Sequence, residues 1–211
     1  RTFGSRTRAS VIRYGFAADA DVTAVRVVSR GAAGMTFEVV ARAPRRTRFA
    51  VEIVALGRHS VQNALAAAGI GLLAGLPDET IAAGMASDWA SASAHRGVIV
   101  EAPGLTILDD TYNASPPAVL AALDVLVSLP GRPVAVLGEM LELGEAHAAG
   151  HRAVGEAAGR AVAELVVVGP GAVGIAEGAV AAGLAAAHVH RVPDRAAAIE
   201  LLRSVLRAGD V

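Results

Sequence analysis

The chain contains no cysteine and no lysine, and all 19 of its basic residues are Arg. Without cysteine it can form no disulfide, no thiolate metal site and no cysteine nucleophile. Without lysine it cannot contain the GxxxxGK[ST] phosphate-binding loop, whose Lys reaches the β- and γ-phosphates of a nucleotide. A Schiff base and a lysine carbamate are excluded for the same reason. These 211 residues therefore lack several common ways of holding or attacking a substrate.

The chain also lacks a strong charge balance and a long apolar run. Its net charge is −1, and 54% of its residues are hydrophobic. A nucleic-acid surface would need a basic excess, so this charge argues against one. No apolar stretch reaches about 18 residues without Gly or a charge, so we expect no membrane span. The first ten residues, RTFGSRTRAS, lack the apolar core of a signal peptide. We therefore expect a cytoplasmic protein, with enough residues for one or two domains.

The first part of the chain has the alternating pattern of short β-strands. Four segments show it: residues 11–16, 23–28, 35–40 and 48–55. Apolar residues on one face and polar residues on the other favour an antiparallel sheet with one solvated face. Two helices are predicted next, the first with Ser60 as its N-cap and the second with Pro77 near its first position. The small, polar residues 87–94 are predicted to be a hinge between domains.

From Arg96 onward, short apolar runs alternate with helical patterns. Strands are predicted at 98–101, 105–109, 133–137, 164–168 and 188–192. Helices are predicted at 116–128, 147–161, 172–182 and 194–207. This order favours a parallel sheet covered by helices on both faces. The predicted fold class is therefore α/β, with a small antiparallel sheet plus helices followed by a Rossmann-like parallel-sheet domain, and Gly209-Asp210-Val211 is expected to lead into a further strand.

Polar side chains cluster where the strand at 105–109 ends and the next helix begins. Asp109, Asp110, Thr111, Tyr112 and Asn113 follow one another directly. The helix after them opens with Ser at its N-cap and Pro at its first position. Open α/β sheets bind ligands at this edge, so the cluster is a candidate site, although solvated acids in a capping loop are the alternative.

A second polar loop follows the strand predicted at 133–137. It contains Glu139 and Glu142, and it faces the same crevice by the same rule. His147 and His151 come next with the four-residue spacing of metal ligands. The Glu of HExxH is absent and no third ligand is evident, so we expect no metal site.

A rival motif lies later in the chain. Residues 169–174 read GPGAVG, a GxGxxG after a predicted strand, and Asp194 follows about twenty residues on. This pattern is typical of a dinucleotide site and supports the alternative of an NAD(P)-dependent oxidoreductase. The motif is not at the first strand–helix turn of its domain, and Pro170 restricts the turn, so we expect a structural role. A non-catalytic nucleotide-binding module is a third hypothesis.

Three sequence blocks, taken together, resemble the Mur ligase family in both order and spacing. They are DDTYNASP at 109–116, GRHSVQNALAA at 57–67 and GEMLELG at 138–144, the last followed by His151 and Gly155. The resemblance implies the end of the family's ATP-binding central domain at 1–94 and most of its Rossmann-like C-terminal domain at 95–211. It also implies that the family's phosphate-binding loop and modified Lys lie upstream of these residues. The chain alone is therefore expected to be inactive.

The same resemblance implies an activity and its partners. The branch of the family that these blocks resemble uses ATP and Mg²⁺ to join D-alanyl-D-alanine to UDP-N-acetylmuramoyl-tripeptide. The reaction passes through an acyl phosphate and belongs to peptidoglycan precursor synthesis. We expect such an enzyme to be a monomer without a nucleic-acid partner. Which third residue the peptide carries is not evident from the sequence.

The resemblance also assigns residues. The implied ATP contacts are His59, Asn63, Arg96, Asp110 and Asn113, with Asn63 on the adenine, Arg96 on the phosphates and Asp110 on the ribose. The implied substrate contacts are Glu139, Glu142 and Tyr112. No metal ligand and no catalytic residue is assigned. The chain departs from the family pattern at Ser60, His95 and Ser115, where the family has Asn, Gly and Asn.

Overall fold

The computed structural model describes residues 6–86 and 95–211. The chain divides into two compact units, residues 1–92 and 93–211, and each has its own hydrophobic core. The predicted hinge at 87–94 lies outside the described residues. No helix in the described ranges is long and apolar enough to cross a membrane.

The first unit is a three-stranded antiparallel sheet with two helices. The strands are β1 (Val22–Ser29), β2 (Met35–Ala41) and β3 (Thr47–Ile53), in the order β1-β2-β3. The helices are α1 (Gly57–Leu73) and α2 (Asp78–Ala86). Alternate residues of β2 are buried from Met35 to Ala41, as the period-two pattern predicts, because one face packs on the core and the other meets solvent. The three strand predictions here are confirmed.

Two local predictions in this unit are wrong. Residues 11–16 form no strand but only an isolated bridge from Tyr14 to Val22, since Gly15 turns the backbone with φ 137°. Ser60 is not the N-cap of α1, because the helix begins three residues earlier, after Leu56. The Ser60 hydroxyl instead donates a hydrogen bond of 2.7 Å to the Leu56 carbonyl oxygen inside the first turn.

The second unit contains the remaining elements. Its strands are β4 (Val98–Ala102), β5 (Leu105–Asp109), β6 (Val134–Gly138), β7 (Glu164–Val168) and β8 (Val189–Val192). Its helices are α3 (Pro116–Leu126), α4 (His147–Ala161), α5 (Val173–Ala181) and α6 (Arg195–Val205). β4 and β5 form an antiparallel hairpin, and β6-β7-β8 form a parallel sheet. The predicted α/β class is confirmed.

Asp210 connects the hairpin to the parallel sheet through backbone bridges. It forms isolated parallel bridges to Leu105, at the start of β5, and to Arg132, just before β6. The Thr106 N–H donates to the Asp210 carbonyl oxygen at 3.1 Å, and the Val134 N–H donates to that of Val211 at 2.7 Å. β5 therefore runs parallel to β6, so the carboxyl ends of β5 to β8 lie along one edge of the unit.

Helices α4 and α5 pack on each other through glycine. A Cβ at Gly155 would overlap the Ile175 carbonyl oxygen, and one at Gly159 would overlap that of Ala179. Such an approach of two helix backbones requires glycine, because any side chain would force them apart. This packing sets α5 beside α4 and thereby places the GxGxxG turn next to the loop that follows β6.

Candidate functional site

Asp109, the last residue of β5, holds its own loop together. One carboxylate oxygen lies 2.6 Å from His95 Nδ1. The other accepts hydrogen bonds from the Thr111 N–H at 3.1 Å and the Thr111 hydroxyl at 2.7 Å. These contacts, the His95 hydrogen bond first, hold the pKa of Asp109 below its ordinary value although burial acts in the opposite direction. Asp109 is therefore already occupied by contacts within the protein.

Asp110, the next residue, is different. It is half-buried and lines a cavity of about 800 Å³ between β5, α3 and β6, yet it makes no hydrogen bond or ion pair to any described residue. Asn113 lines the same cavity and uses its side-chain oxygen to accept the Ala114 N–H at 2.9 Å. Of the two adjacent carboxylates, only that of Asp110 is available to a ligand.

Arg96 and Tyr112 stack on one another. The guanidinium carbon of Arg96 lies 4.0 Å from the centre of the Tyr112 ring, which is a cation–π geometry. The Tyr112 N–H donates a 3.0 Å hydrogen bond to the His95 carbonyl oxygen. Tyr112 is 63% exposed, so its ring is a surface platform and not a core side chain.

The loop after β6 carries Glu139 and Glu142. One oxygen of Glu139 lies 3.1 Å from His147 Nε2. Glu142 is exposed and adopts a left-handed backbone with φ 61°. The Met140 N–H donates to His151 Nε2 at 2.9 Å, and His151 Nδ1 lies 2.8 Å from the His147 carbonyl oxygen. His151, which is 1% exposed, therefore fixes this loop to α4.

The two remaining predicted nucleotide contacts lie in the first unit. His59 and Asn63 are exposed and one turn apart on α1, so they share a face as their spacing predicts. The structure thus brings six of the predicted site residues to the strand edge of the second unit and places the other two on a helix of the first unit. Those six are Arg96, Asp110, Tyr112, Asn113, Glu139 and Glu142.

Two glycines of the rival GxGxxG motif and the acid that follows it have structural roles. The space that a side chain at Gly171 would occupy holds the carboxylate of Glu139. A Cβ at Gly174 would lie 3.2 Å from the Cβ of His151, on the α4 surface. Asp194 caps α6 by accepting the Ala197 N–H at 2.9 Å. The turn is therefore filled by the protein's own acid and helix, which disfavours a dinucleotide there.

Among the residues that the structure describes, no group of three or more His, Asp or Glu side chains could hold a metal ion. Two residues that hold the loops of the candidate site, His95 and His151, were not predicted from the sequence. His95 looked only like a departure from a motif, and His151 looked like half of a metal pair. The useful signal for His151 was its i, i+4 relation to His147 beside a strand end, which also suits a side chain that holds a loop.

Comparison with known proteins decides the family. The family model for the Mur ligase glutamate ligase domain matches residues 95–211. The chain belongs to the Mur ligase family. The resemblance drawn from the three sequence blocks is thereby confirmed.

Curated Mur ligases share much of this sequence. The chain is 38% identical over 192 residues to UDP-N-acetylmuramoyl-tripeptide–D-alanyl-D-alanine ligase of Mycobacterium leprae, covering 83% of this chain and 37% of the relative. It is 38% identical over 230 residues to the same enzyme of Mycobacterium tuberculosis, covering 92% of this chain and 45% of the relative. The chain thus spans less than half the length of these relatives.

Solved structures show the same fold. MurF from Acinetobacter baumannii matches with a TM-score of 0.78 and 25% identity, covering 94% of this chain and 42% of the solved one. MurF from Thermotoga maritima, solved in complex with ADP, matches with a TM-score of 0.72 and 23% identity, over 94% and 43% of the two chains.

Proposed function

We propose that this Mur ligase chain belongs to an ATP-dependent enzyme that joins D-alanyl-D-alanine to UDP-N-acetylmuramoyl-tripeptide. ATP would phosphorylate the tripeptide carboxylate, and the dipeptide amine would displace phosphate to form the amide. The observation that carries the proposal is the half-buried carboxylate of Asp110 at the strand edge, which has no partner within residues 6–86 and 95–211. The identity to D-alanyl-D-alanine ligases over 92% of the chain supports it.

The nucleotide is assigned to the residues with free donors and acceptors. A carboxylate is a natural acceptor for two ribose hydroxyls, and Asp110 offers both oxygens. A planar guanidinium suits bidentate contact with phosphate, and Arg96 binds no acid in the part of the chain that the structure describes. In this proposal residues 1–94 form the later part of the ATP-binding central domain, where Asn63 contacts the adenine and His59 is a further ATP contact. Asn113 then shapes the loop beside the ribose.

The peptide substrates are assigned to the loop after β6. Glu139 and Glu142 would attract the ammonium group of D-alanyl-D-alanine, and Tyr112 would border the same opening. Mg²⁺ would accompany ATP, but the described residues supply no metal cluster, so we assign it no ligand here. The proposal places the enzyme in the cytoplasm as a monomer. Because the chain lacks the phosphate-binding Lys, we expect no phosphate release from ATP when the chain alone receives both substrates.

The test is the affinity of the chain for ADP, measured by calorimetry. Asp110→Asn should weaken binding about tenfold or more, since hydrogen bonds to a charged acceptor contribute roughly 1.5–3 kcal/mol. The matched control is Asp124→Asn, which removes an exposed carboxylate from α3 in the same unit. Equal affinities for the two variants and the wild type would refute the nucleotide assignment.

A further inference from the structure

The segment that carries Arg96 is fastened to the loop after β5 at three points. The Tyr112 N–H donates to the His95 carbonyl oxygen at 3.0 Å, and His95 Nδ1 lies 2.6 Å from Asp109 Oδ2. The third point is the stack of Arg96 on the Tyr112 ring at 4.0 Å. His95, the residue before Arg96, is therefore held twice: its imidazole contacts Asp109 and its carbonyl oxygen accepts from Tyr112.

We propose that His95 and Tyr112 are positioning residues for Arg96 in nucleotide binding. The inference rests on the proposed function, in which Arg96 contacts the phosphates of ATP. It assigns Tyr112 a role other than substrate contact, and it gives His95 a role that its difference from the family pattern did not suggest.

The contact with the ring leaves the hydrogen-bonding capacity of the guanidinium group unused. Its carbon lies over the Tyr112 ring, 4.0 Å from the ring centre, and a cation–π contact of this kind needs no N–H donor. Arg96 makes no hydrogen bond or ion pair to any residue in the ranges 6–86 and 95–211. A guanidinium group held by a contact that uses none of its N–H donors is prepared for two parallel hydrogen bonds to a phosphate.

His95 sets the direction in which Arg96 leaves the backbone. It adopts a left-handed conformation with φ 64°, which is uncommon for a residue with a side chain. Such a conformation persists only where the surroundings hold it, and here both its carbonyl and its imidazole are bound. Glycine would adopt this backbone freely but would lack the side-chain bond to Asp109.

The first experiment is a double-mutant cycle on ADP affinity. Arg96→Ala should weaken binding about tenfold, as expected for loss of a charge-assisted contact. Tyr112→Ala should weaken it about threefold through Arg96, and Tyr112→Phe, which keeps the ring face, should restore most of it. The double variant Arg96→Ala/Tyr112→Ala should bind as Arg96→Ala does, because Tyr112 acts only through Arg96.

The second experiment needs no ligand. In the NMR spectrum the Arg96 δ protons should be shifted upfield by the Tyr112 ring, and the shift should disappear in Tyr112→Ala and shrink in His95→Ala. Absence of that shift in the wild-type chain, or additive losses in the cycle, would overturn the positioning role. An unchanged ADP affinity in Arg96→Ala, or no ADP binding by the wild type, would instead overturn the phosphate assignment on which the inference rests.

Discussion

The two ends of the parallel strands in the second unit differ in how completely their charged side chains are paired. At the amino ends, Arg132 forms ion pairs with both Glu164 and Asp210. At the carboxyl ends, Asp110 and Arg96 bind no charged partner among the described residues. The same sheet thus has one closed end and one open end, and the open end is where α/β proteins bind ligands.

The closed end is a network of five side chains. Arg132 donates from Nε and one terminal nitrogen to the two oxygens of Asp210 at 2.8 and 2.7 Å, and from its other terminal nitrogen to Glu164 at 3.2 Å. His188 and His190 each approach one Glu164 oxygen at 3.0 Å. Burial acts most strongly on Glu164 and raises its pKa, but the two His contacts together bring the pKa below its ordinary value. Such a network ties the starts of β6, β7 and β8 to residue 210.

The comparison shows how to separate structural from functional charge. A buried acid with all its oxygens bound, such as Glu164 or Asp210, already has the partners that a ligand would supply. This distinction applies to single residues and not to a whole end of the sheet. Asp109 lies at the open end, yet both of its carboxylate oxygens are bound. Asp110, its neighbour, has no hydrogen-bond or ion-pair partner among the described residues.

Removing the arginine at the closed end should give the largest loss of stability. Arg132→Ala leaves Asp210 and Glu164, whose side chains are 3% and 7% exposed, without their cation. We expect a decrease of about 2–3 kcal/mol in the free energy of unfolding of the second unit, because a broken buried pair leaves an uncompensated charge. Hydrogen exchange of the β7 amides measures it.

The control for this change is an exposed pair on α6. Arg203 and Glu200 are bridged at 3.0 Å but are 72% and 69% exposed. Arg203→Ala should lower stability by less than about 0.5 kcal/mol, as is typical of surface pairs. Equal losses in the two variants would show that the closed end contributes no more than a surface pair.

Acid should weaken the same end. The folded pKa values of Glu164 and Asp210 lie below the ordinary values of 4.5 and 3.8, so their contribution is complete above those ordinary values. It is lost as pH falls through the lowered folded values, because the unfolded chain then binds protons first. The free energy of unfolding of the chain, measured between pH 6 and about pH 2.5, should decrease as the pH falls. Glu164→Gln should make this dependence of stability on pH shallower. An unchanged dependence would contradict its assignment to Glu164.

Replacing the two adjacent carboxylates should have unequal effects on folding. Asp109→Asn weakens the bonds from His95 and Thr111 and should cost about 1 kcal/mol, since bonds to a charged acceptor are stronger than those to an amide. Asp110→Asn should change stability by less than about 0.5 kcal/mol. Urea unfolding of both variants measures the difference. A larger loss at Asp110 would mean that it, too, is structural.

The smallest effect is expected at the glycine-rich turn. A Cβ at Gly171 would displace only the carboxylate of Glu139, the far end of a flexible side chain, so Gly171→Ala should cost less than about 0.5 kcal/mol. The chain should also show no specific NADH binding by fluorescence titration. Micromolar binding that Gly171→Asp abolishes would instead support the oxidoreductase alternative.

Much of the fold was predictable because its signals are local. The alternation of β2 and β3 and the β–α order after Arg96 follow from periodicity within single segments, and nearly every predicted element there is present. The failures are also local. Residues 11–16 have a strand-like composition but only one bridging partner, and Ser60 is a good capping residue that lies a turn too late. In both cases the chain around the segment outweighed its own propensity.

The candidate site was predictable in position but not in detail. The cluster from Asp109 to Asn113 and the acid Glu139 were evident, since polar residues at strand ends reveal the edge of a sheet. Their partners were not evident, because His95, Tyr112 and His151 act through contacts across separate segments of the chain. No local pattern shows which of two adjacent acids is bound and which is free.

The sequence by itself determined which chemistry is absent, the order of strands and helices, and the edge at which polar groups gather. Those properties depend on residue type and on spacing along the chain. Only the tertiary structure decided that Asp109 is bound while Asp110 has no partner in the described ranges, and that Arg96 is stacked on Tyr112. It also decided that Glu139 fills the space at Gly171. These outcomes depend on distances between segments far apart in sequence, which packing sets and composition does not.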